Sequence, residues 1–89
     1  MEHSREVTIA NKHGLHARPA AEFVKLANRF AAEVWVAKGE VEVSGKSIMG
    51  VMMLAAECGS AVLIRAEGED SEAAVDALSS LISSKFGEE

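Results

Sequence analysis

The sequence has one cysteine, few aromatic residues and no long apolar run. Cys58 is the only cysteine, so no internal disulfide can form, which is typical of a chain kept in a reducing compartment. No apolar run is long enough to cross a bilayer, and no signal-peptide core follows the charged first residues, so we expect a cytoplasmic protein without membrane insertion. Aromatic residues are scarce and the net charge is -5, which argues against direct nucleic-acid binding and favours proteins as partners.

What the chain does have is enough apolar residues for one small core. Of its 89 residues, 48% are hydrophobic, which suffices for one domain but not for two. No linker, internal repeat or low-complexity segment interrupts the sequence. We therefore expect residues 1–89 to form a single domain.

The predicted elements follow the order strand, helix, strand, strand, helix, strand and helix. They lie at about 5–10, 17–28, 32–37, 40–43, 47–55, 60–67 and 71–85. Lys38 and Gly39 separate two valine-bearing strands and predict a hairpin, so the sheet should be at least partly antiparallel with helices on one face. Asp70 or Ser71 is expected to cap the last helix, whose apolar stripe consists of Ala74, Leu78, Leu81 and Ile82.

Alternation along the strands predicts which side chains face the helices. The inward set consists of Val7, Ile9, Val34, Val36, Val41, Val43, Val62 and Ile64. Trp35 and Leu63 must then point to the open face of the sheet. If their strands are neighbours, we expect the two to cover each other as a cross-strand pair, which contributes a few tenths to about 1 kcal/mol. The alternative is a second contact surface at this position.

Residues 11–21 combine groups that suit phosphate chemistry. His16, Arg18 and Pro19 lie where a helix begins, and the N–H groups of a helix start, here those of Ala17 and Arg18, attract anions. Arg18 adds a permanent charge and a fork of donors, and Pro19 fits the first turn because it has no N–H. An unprotonated imidazole nitrogen of His16 can attack a phosphoryl donor. The residues also allow a plainer interpretation, in which His16 is merely exposed near a helix cap.

The short helix at 47–55 has apolar residues almost all round its axis. Val51 and Leu54 are the expected core members, which leaves part of the remaining set exposed as a docking patch: Ile48, Met49, Met52 and Met53. The alternative is a helix fully buried under a neighbouring loop. Three lysines, Lys12, Lys25 and Lys46, are expected to form a positive rim around His16 that steers acidic partners.

Ser47 precedes the first turn of this short helix. Its hydroxyl is expected to cap the helix, which is the common role of a serine at such a position. A phosphate on the same hydroxyl would add roughly 1.5 to 2 negative charges beside the apolar patch. Docking of partners that require a neutral or positive surface would then weaken.

Three other motifs do not meet the requirements of the sites they suggest. Gly45-Lys46-Ser47 resembles the end of a P-loop, but Glu40 stands where that motif requires glycine. His13 and His16 have the spacing of a partial metal site without further ligands nearby, so no metal and no cofactor are expected. Cys58 with His16 has no third member of a thiol nucleophile site.

Two segments carry a resemblance to a known family. Gly14-Leu15-His16-Ala17-Arg18-Pro19-Ala20 resembles the active-site signature of the HPr phosphocarriers of the bacterial phosphoenolpyruvate:sugar phosphotransferase system. A second segment, residues 45–52, resembles that family's regulatory serine region at the expected separation. The resemblance covers nearly the whole chain. It implies an α+β open-faced sandwich of order βαββαβα, with a four-stranded antiparallel sheet and three helices on one face.

The resemblance also implies a role for each residue of the site. His16 would be phosphorylated on a ring nitrogen by enzyme I, itself charged from phosphoenolpyruvate, and would donate the group to enzyme II A domains, with Arg18 assisting. Ser47 would be phosphorylated by an ATP-dependent kinase, reversed by a phosphatase, and read by a carbon-catabolite transcription regulator. The expected protein is a monomeric carrier rather than a stand-alone enzyme. The alternative from another class is a ferredoxin-like module that binds a small anion at His16 and Arg18 without group transfer.

Overall fold

Four strands form one antiparallel sheet. The computed structural model describes residues 1–87, and its strands are β1 (Glu2–Thr8), β2 (Glu33–Lys38), β3 (Val41–Ser44) and β4 (Ala61–Glu67). They lie in the order β1-β4-β2-β3, and each neighbouring pair is antiparallel. Gly39, with a φ of 60°, turns the chain between β2 and β3, which confirms the predicted hairpin.

Three helices cover one face of this sheet: α1 (Ala17–Ala27), α2 (Ile48–Met53) and α3 (Ser71–Ser83). A short 3-10 turn follows at Lys85–Gly87. The order along the chain is βαββαβα, so the predicted open-faced sandwich is confirmed. Glu88 and Glu89, which belong to the predicted domain, lie outside the described residues. None of the helices in residues 1–87 combines the length and hydropathy that a membrane span requires.

The ends of some elements differ from the prediction because backbone pairing and φ angles decide them. β1 begins at Glu2 rather than at residue 5, since Glu2 pairs with Glu67 at the end of β4. α2 covers only residues 48–53, because Ala55 has a φ of 50° and the helix cannot continue through it. α3 ends two residues earlier than predicted, just before two residues with positive φ.

The hydrophobic core lies between the sheet and the helices. Most of the predicted inward strand residues are at most 2% exposed: Ile9, Val34, Val36, Val62 and Ile64. Phe23 of α1 and Leu78 and Ile82 of α3 are fully buried against them. Full burial of such a side chain contributes about 1.5–3 kcal/mol, so this layer is the main source of stability.

Val41 is the exception among the predicted inward residues. It is 54% exposed, because it lies opposite Lys38 at the hairpin end of β3, an edge strand of the sheet. The prediction that the helices cover Val41 is therefore wrong. Val7 and Val43 are partly buried and pack against the core, as predicted.

Trp35 on the open face has a different partner from the one predicted. β2 and β4 are neighbours, but their register places Trp35 opposite Arg65 and places Leu63 opposite Ala37. The Arg65 guanidinium lies 4.0 Å from the Trp35 ring centroid, so a cation–π contact replaces the predicted Trp35–Leu63 pair.

Arg65 also joins the two edge strands across the open face. Its guanidinium donates to the Glu42 carboxylate of β3 at 3.1 and 3.2 Å and to the Glu2 carboxylate of β1 at 2.6 Å. The hydrogen bonds to Glu42 and Glu2 raise the pKa of Arg65 above its ordinary value. One side chain thus connects all four strands through ion pairs and the Trp35 ring.

Asp70 occupies the N-cap position of α3, one of the two predicted alternatives. Its carboxylate does not cap the helix but accepts hydrogen bonds from the N–H groups of Ala31 at 2.9 Å and Ala32 at 2.8 Å. These bonds favour the charged carboxylate and lower the pKa of Asp70. Together with the Ser71 hydroxyl, which donates to the Met1 carbonyl at 3.1 Å, they tie the start of α3 to two neighbouring segments.

Candidate functional site

His16 is the N-cap residue of α1. Its backbone is extended, with φ -76° and ψ -171°, and its carbonyl accepts the first helical hydrogen bond from Ala20 at 3.0 Å. The residue is exposed, and its side chain makes no capping hydrogen bond. The imidazole is therefore presented to solvent at the helix start instead of serving as a cap.

The first turn of α1 is arranged to receive an anion. Ala17 and Arg18 are its first two residues, and in helix geometry such N–H groups point out of the N-terminal end. Pro19 follows with no N–H to satisfy and is buried against the core. The positive end of the helix dipole favours an anionic group near the His16 ring.

The loop that carries His16 is fixed by its contacts with the segment after α2. The Leu15 N–H donates to the Ala56 carbonyl at 2.9 Å, and Leu15 is only 4% exposed. Gly14 has a φ of 68°, and its carbonyl accepts from the buried Asn11 amide at 2.7 Å. A Cβ on Gly14 would lie 2.3 Å from the Ala56 oxygen, so only glycine allows this close approach.

A cleft of about 270 Å³ opens beside the His16 ring. Its walls include His13 and His16 from the loop, and Met52, Ala55 and Glu57 from the end of α2 and the following segment. The two imidazole rings meet edge to face, with centroids 5.8 Å apart and an interplanar angle of 89°. Residues that are 36 to 44 positions apart in the sequence therefore share one site.

Arg18 lies on the exposed surface next to this site. Its guanidinium forms an ion pair with the Glu22 carboxylate one turn along α1, and the two side chains are 54% and 37% exposed. Exposed pairs of this kind contribute little to stability, about 0.2–1 kcal/mol. Loss of the ion pair with Glu22 would therefore cost little stability.

The four residues of the predicted docking patch are all exposed: Ile48 (44%), Met49 (71%), Met52 (39%) and Met53 (73%). Val51 and Leu54 are buried, at 0% and 5%, as predicted. The alternative of a fully buried short helix is therefore wrong. Because Met52 also lines the His16 cleft, the docking patch is continuous with the site.

Ser47 caps α2 as predicted. Its hydroxyl accepts a hydrogen bond from the Gly50 N–H at 3.0 Å. The hydroxyl is thus held at the start of the helix that carries the docking patch. Any change of charge on Ser47 acts directly beside Ile48 and Met49, the next two residues.

The lysines do not surround His16 evenly. The Lys46 ammonium donates to the Phe30 carbonyl at 2.8 Å, beyond the C-terminal end of α1, so it lies away from His16. Lys25 is nine residues past His16, roughly 13 Å along the helix axis. Sequence analysis did not predict a role for Lys38, whose ammonium donates to the carbonyl of Ala55, a residue of the cleft, at 3.3 Å.

Two other features singled out in the sequence are Cys58 and the metal-like spacing of His13 and His16. The exposed Cys58 thiol lies against the Ala10 carbonyl, with a sulfur–oxygen distance of 3.8 Å. Within residues 1–87, no three side chains of the metal-binding types come close enough to hold an ion. Sequence reasoning missed the cleft-lining segment at 55–57, because its residues are small or ordinary and only its fold places them beside His16.

Comparison with known proteins points to one family. The family model described as PTS HPr component phosphorylation site matches residues 3–84. The chain is 49% identical over 84 residues to phosphocarrier protein HPr of Cupriavidus necator, and the match covers 94% of each chain. Both the sequence segment around His16 and the rest of the fold are included in these matches.

Solved structures agree with this result. HPr-C-His from Thermoanaerobacter tengcongensis matches with a TM-score of 0.94 and 50% identity, covering 98% of each chain. An HPr dimer from the same organism matches with a TM-score of 0.78 and 52% identity, covering 94% of this chain and 99% of that one. These sequence and structure matches favour the HPr family over the ferredoxin-like anion-binding module, which the residues alone had left open as an alternative. The chain therefore belongs to the HPr family of phosphocarrier proteins of the phosphotransferase system.

Proposed function

We propose that His16 is the residue that carries the phosphoryl group. It accepts the group from enzyme I, which is charged from phosphoenolpyruvate, and passes it to the A domains of enzyme II complexes. The observation that carries this proposal is the exposed His16 ring at the N-terminal end of α1, in a chain of the HPr family. No stand-alone catalysis is required of this chain.

The transfer balances with the groups present. The lone pair of an unprotonated His16 ring nitrogen forms the new N–P bond, while the bond between phosphorus and the donor atom breaks and its electron pair stays with the donor. In the next step a nucleophilic atom of the enzyme II A domain forms a bond to phosphorus while the N–P bond breaks, and the electron pair of that bond returns to the His16 nitrogen. An imidazole is available in unprotonated form near neutral pH, so the same nitrogen can accept and release the group.

Arg18 and the helix start stabilise the charge of the transferred group. The Ala17 and Arg18 N–H groups and the helix dipole attract the phosphoryl oxygens. The Arg18 guanidinium leaves the Glu22 carboxylate and forms charge-assisted hydrogen bonds with those oxygens. Positioning and electrostatic stabilisation supply most of what phosphoryl transfer requires.

We propose that enzyme I and the enzyme II A domains dock on the same surface. The docking patch of Ile48, Met49, Met52 and Met53 provides the apolar contact. It adjoins the His16 cleft, so a partner seated on it brings its own reactive group close to the ring. Lys25 on α1 and Lys46 before α2 are proposed as further contacts for acidic partner residues.

We propose that phosphorylation of Ser47 regulates this docking. An ATP-dependent kinase would add the phosphate and a phosphatase would remove it, and a carbon-catabolite transcription regulator would bind the modified form. The support is the position of the Ser47 hydroxyl at the start of α2, next to exposed apolar residues. Incubation with such a kinase and ATP should add one phosphate, while S47A should remain unmodified and S47T should accept it.

The proposed setting is the cytoplasm, and the proposed state is a monomer. Size-exclusion chromatography with light scattering tests the second statement directly. A mass of one chain at micromolar concentration supports it, and a mass of two chains contradicts it.

Intact-mass measurement tests the carrier proposal. The protein is incubated with enzyme I and phosphoenolpyruvate, and the expected product has one added phosphoryl group that is labile in acid and stable in alkali. H16A should stay unmodified, and R18K should be modified more slowly, because lysine cannot replace the bidentate fork of arginine. An unmodified wild-type chain, beside a control carrier that enzyme I does phosphorylate, would contradict the proposal.

A further inference from the structure

We propose that His13 is a pH-dependent second cation of the phosphoryl site. The inference rests on the proposed function and adds to it a residue that decides how well His16 holds the group at acidic pH. Two observations support it: the His13 and His16 ring centroids are 5.8 Å apart, and both rings line the same cleft.

The position of His13 suits an electrostatic role rather than a structural one. It is exposed, and the buried contacts of its loop are made by Leu15 and Asn11. Its ring meets the His16 ring edge to face with the centroids 5.8 Å apart, so a charge on His13 acts at short range on the ring that carries the group. Replacing the His13 side chain should therefore leave the backbone of the loop in place.

The charged groups around His13 come from several elements. On its own loop these are Lys12 and His16, and α1 contributes Arg18, which is paired with Glu22. The segment after α2 contributes Glu57, and β2 contributes Lys38 through its bond to the Ala55 carbonyl. Among these residue types, only histidine ordinarily changes its charge between about pH 5 and 8. Protonation of His13 is thus the change that acidification makes beside His16.

Protonated His13 affects the site in two ways that act in the same direction. It attracts the roughly two negative charges of a phosphoryl group on His16. It also repels a proton on the His16 ring, which keeps that nitrogen available for the N–P bond. For solvent-exposed charges about 6 Å apart, screened as in bulk water, these effects favour the phosphorylated form by about three- to tenfold, and salt reduces the preference.

An equilibrium measurement tests this inference without interference from docking. Each protein is equilibrated with a catalytic amount of enzyme I and a fixed ratio of phosphoenolpyruvate to pyruvate, and the phosphorylated fraction is read by intact mass. Because a catalyst does not alter the equilibrium constant, differences in how the variants bind enzyme I cancel. H13Q keeps a hydrogen-bond donor without the charge, and H13K keeps the charge at every pH tested.

The expected result is a pH-dependent ratio of equilibrium constants. Wild type over H13Q should be about three- to tenfold at pH 6 and close to one at pH 8.5, while H13K over H13Q should be three- to tenfold at both. Equal midpoints of thermal unfolding show that the variants remain folded.

The outcomes separate this inference from the proposed function. If wild type and H13Q carry the group on His16 equally at pH 6 and pH 8.5, the role of His13 is refuted while the carrier function stands. The same conclusion follows if H13K behaves as H13Q does. If no protein takes up the group, both proposals fail.

Discussion

Gly14→Ala tests how the loop that carries His16 is held. The added Cβ would lie 2.3 Å from the Ala56 oxygen and 2.9 Å from the Glu57 Cα, and both are backbone atoms that cannot move alone. Separation of the two segments weakens the Leu15–Ala56 hydrogen bond of 2.9 Å, worth about 0.5–1.5 kcal/mol. Steric displacement adds about 1–3 kcal/mol, and the left-handed φ adds about 1–2 kcal/mol for alanine.

Part of this cost is offset, because alanine restricts the unfolded chain by about 0.4–1 kcal/mol. We expect a net loss of about 2–6 kcal/mol, which is a large share of the roughly 5–10 kcal/mol typical of a domain of this size. The thermal midpoint should fall by roughly 10–40 °C. Urea unfolding followed by the fluorescence of Trp35 measures the change.

Gly39→Ala is the matched control. Gly39 has a φ of 60°, close to the 68° of Gly14, but a Cβ there would meet nothing within 4 Å. It should therefore lose only about 1 kcal/mol, from the backbone conformation alone. If the two variants lose the same free energy, the close approach of Gly14 to Ala56 does not constrain the loop, and this reasoning is refuted.

Three further predictions follow from other contacts. Ser47→Ala removes the hydroxyl that accepts from the Gly50 N–H and should cost about 1 kcal/mol in urea unfolding; an unchanged midpoint would show that the cap adds nothing. Because the pKa of Asp70 is lowered in the folded state, its contribution to stability is present above the unfolded pKa and is lost as pH falls through the lower folded value. Asp70→Asn should therefore be less stable than wild type at neutral pH, and the difference should shrink below about pH 4; a constant difference would contradict this. Met49→Asp should raise the KM for phosphorylation by enzyme I about tenfold without lowering the thermal midpoint, since Met49 is 71% exposed; an unchanged KM would place docking elsewhere.

Local patterns in the sequence were enough to predict much of the fold. Alternating valines predicted the strand interiors, and a glycine between two strands predicted the hairpin, because side-chain burial and turn geometry depend on neighbouring residues. The start of α1 at Ala17 was also predicted, because His16, Arg18 and Pro19 are local signals for a helix beginning. Each of these predictions needed only the residues of one short segment of the chain.

The tertiary structure decided everything that depends on register and on contacts between distant segments. The pairing of Trp35 with Arg65 follows from the register of β2 against β4. A register shift of two residues would change this pair but would leave every side chain on the same face, so alternation alone cannot predict it. The end of α2 depends on the left-handed Ala55, and the cleft beside His16 exists because the segment after α2 packs on the loop after β1. The sequence by itself therefore determined which elements form and that His16 stands at the start of α1. Only the folded chain decided which distant residues, His13 and Met52 among them, stand beside His16.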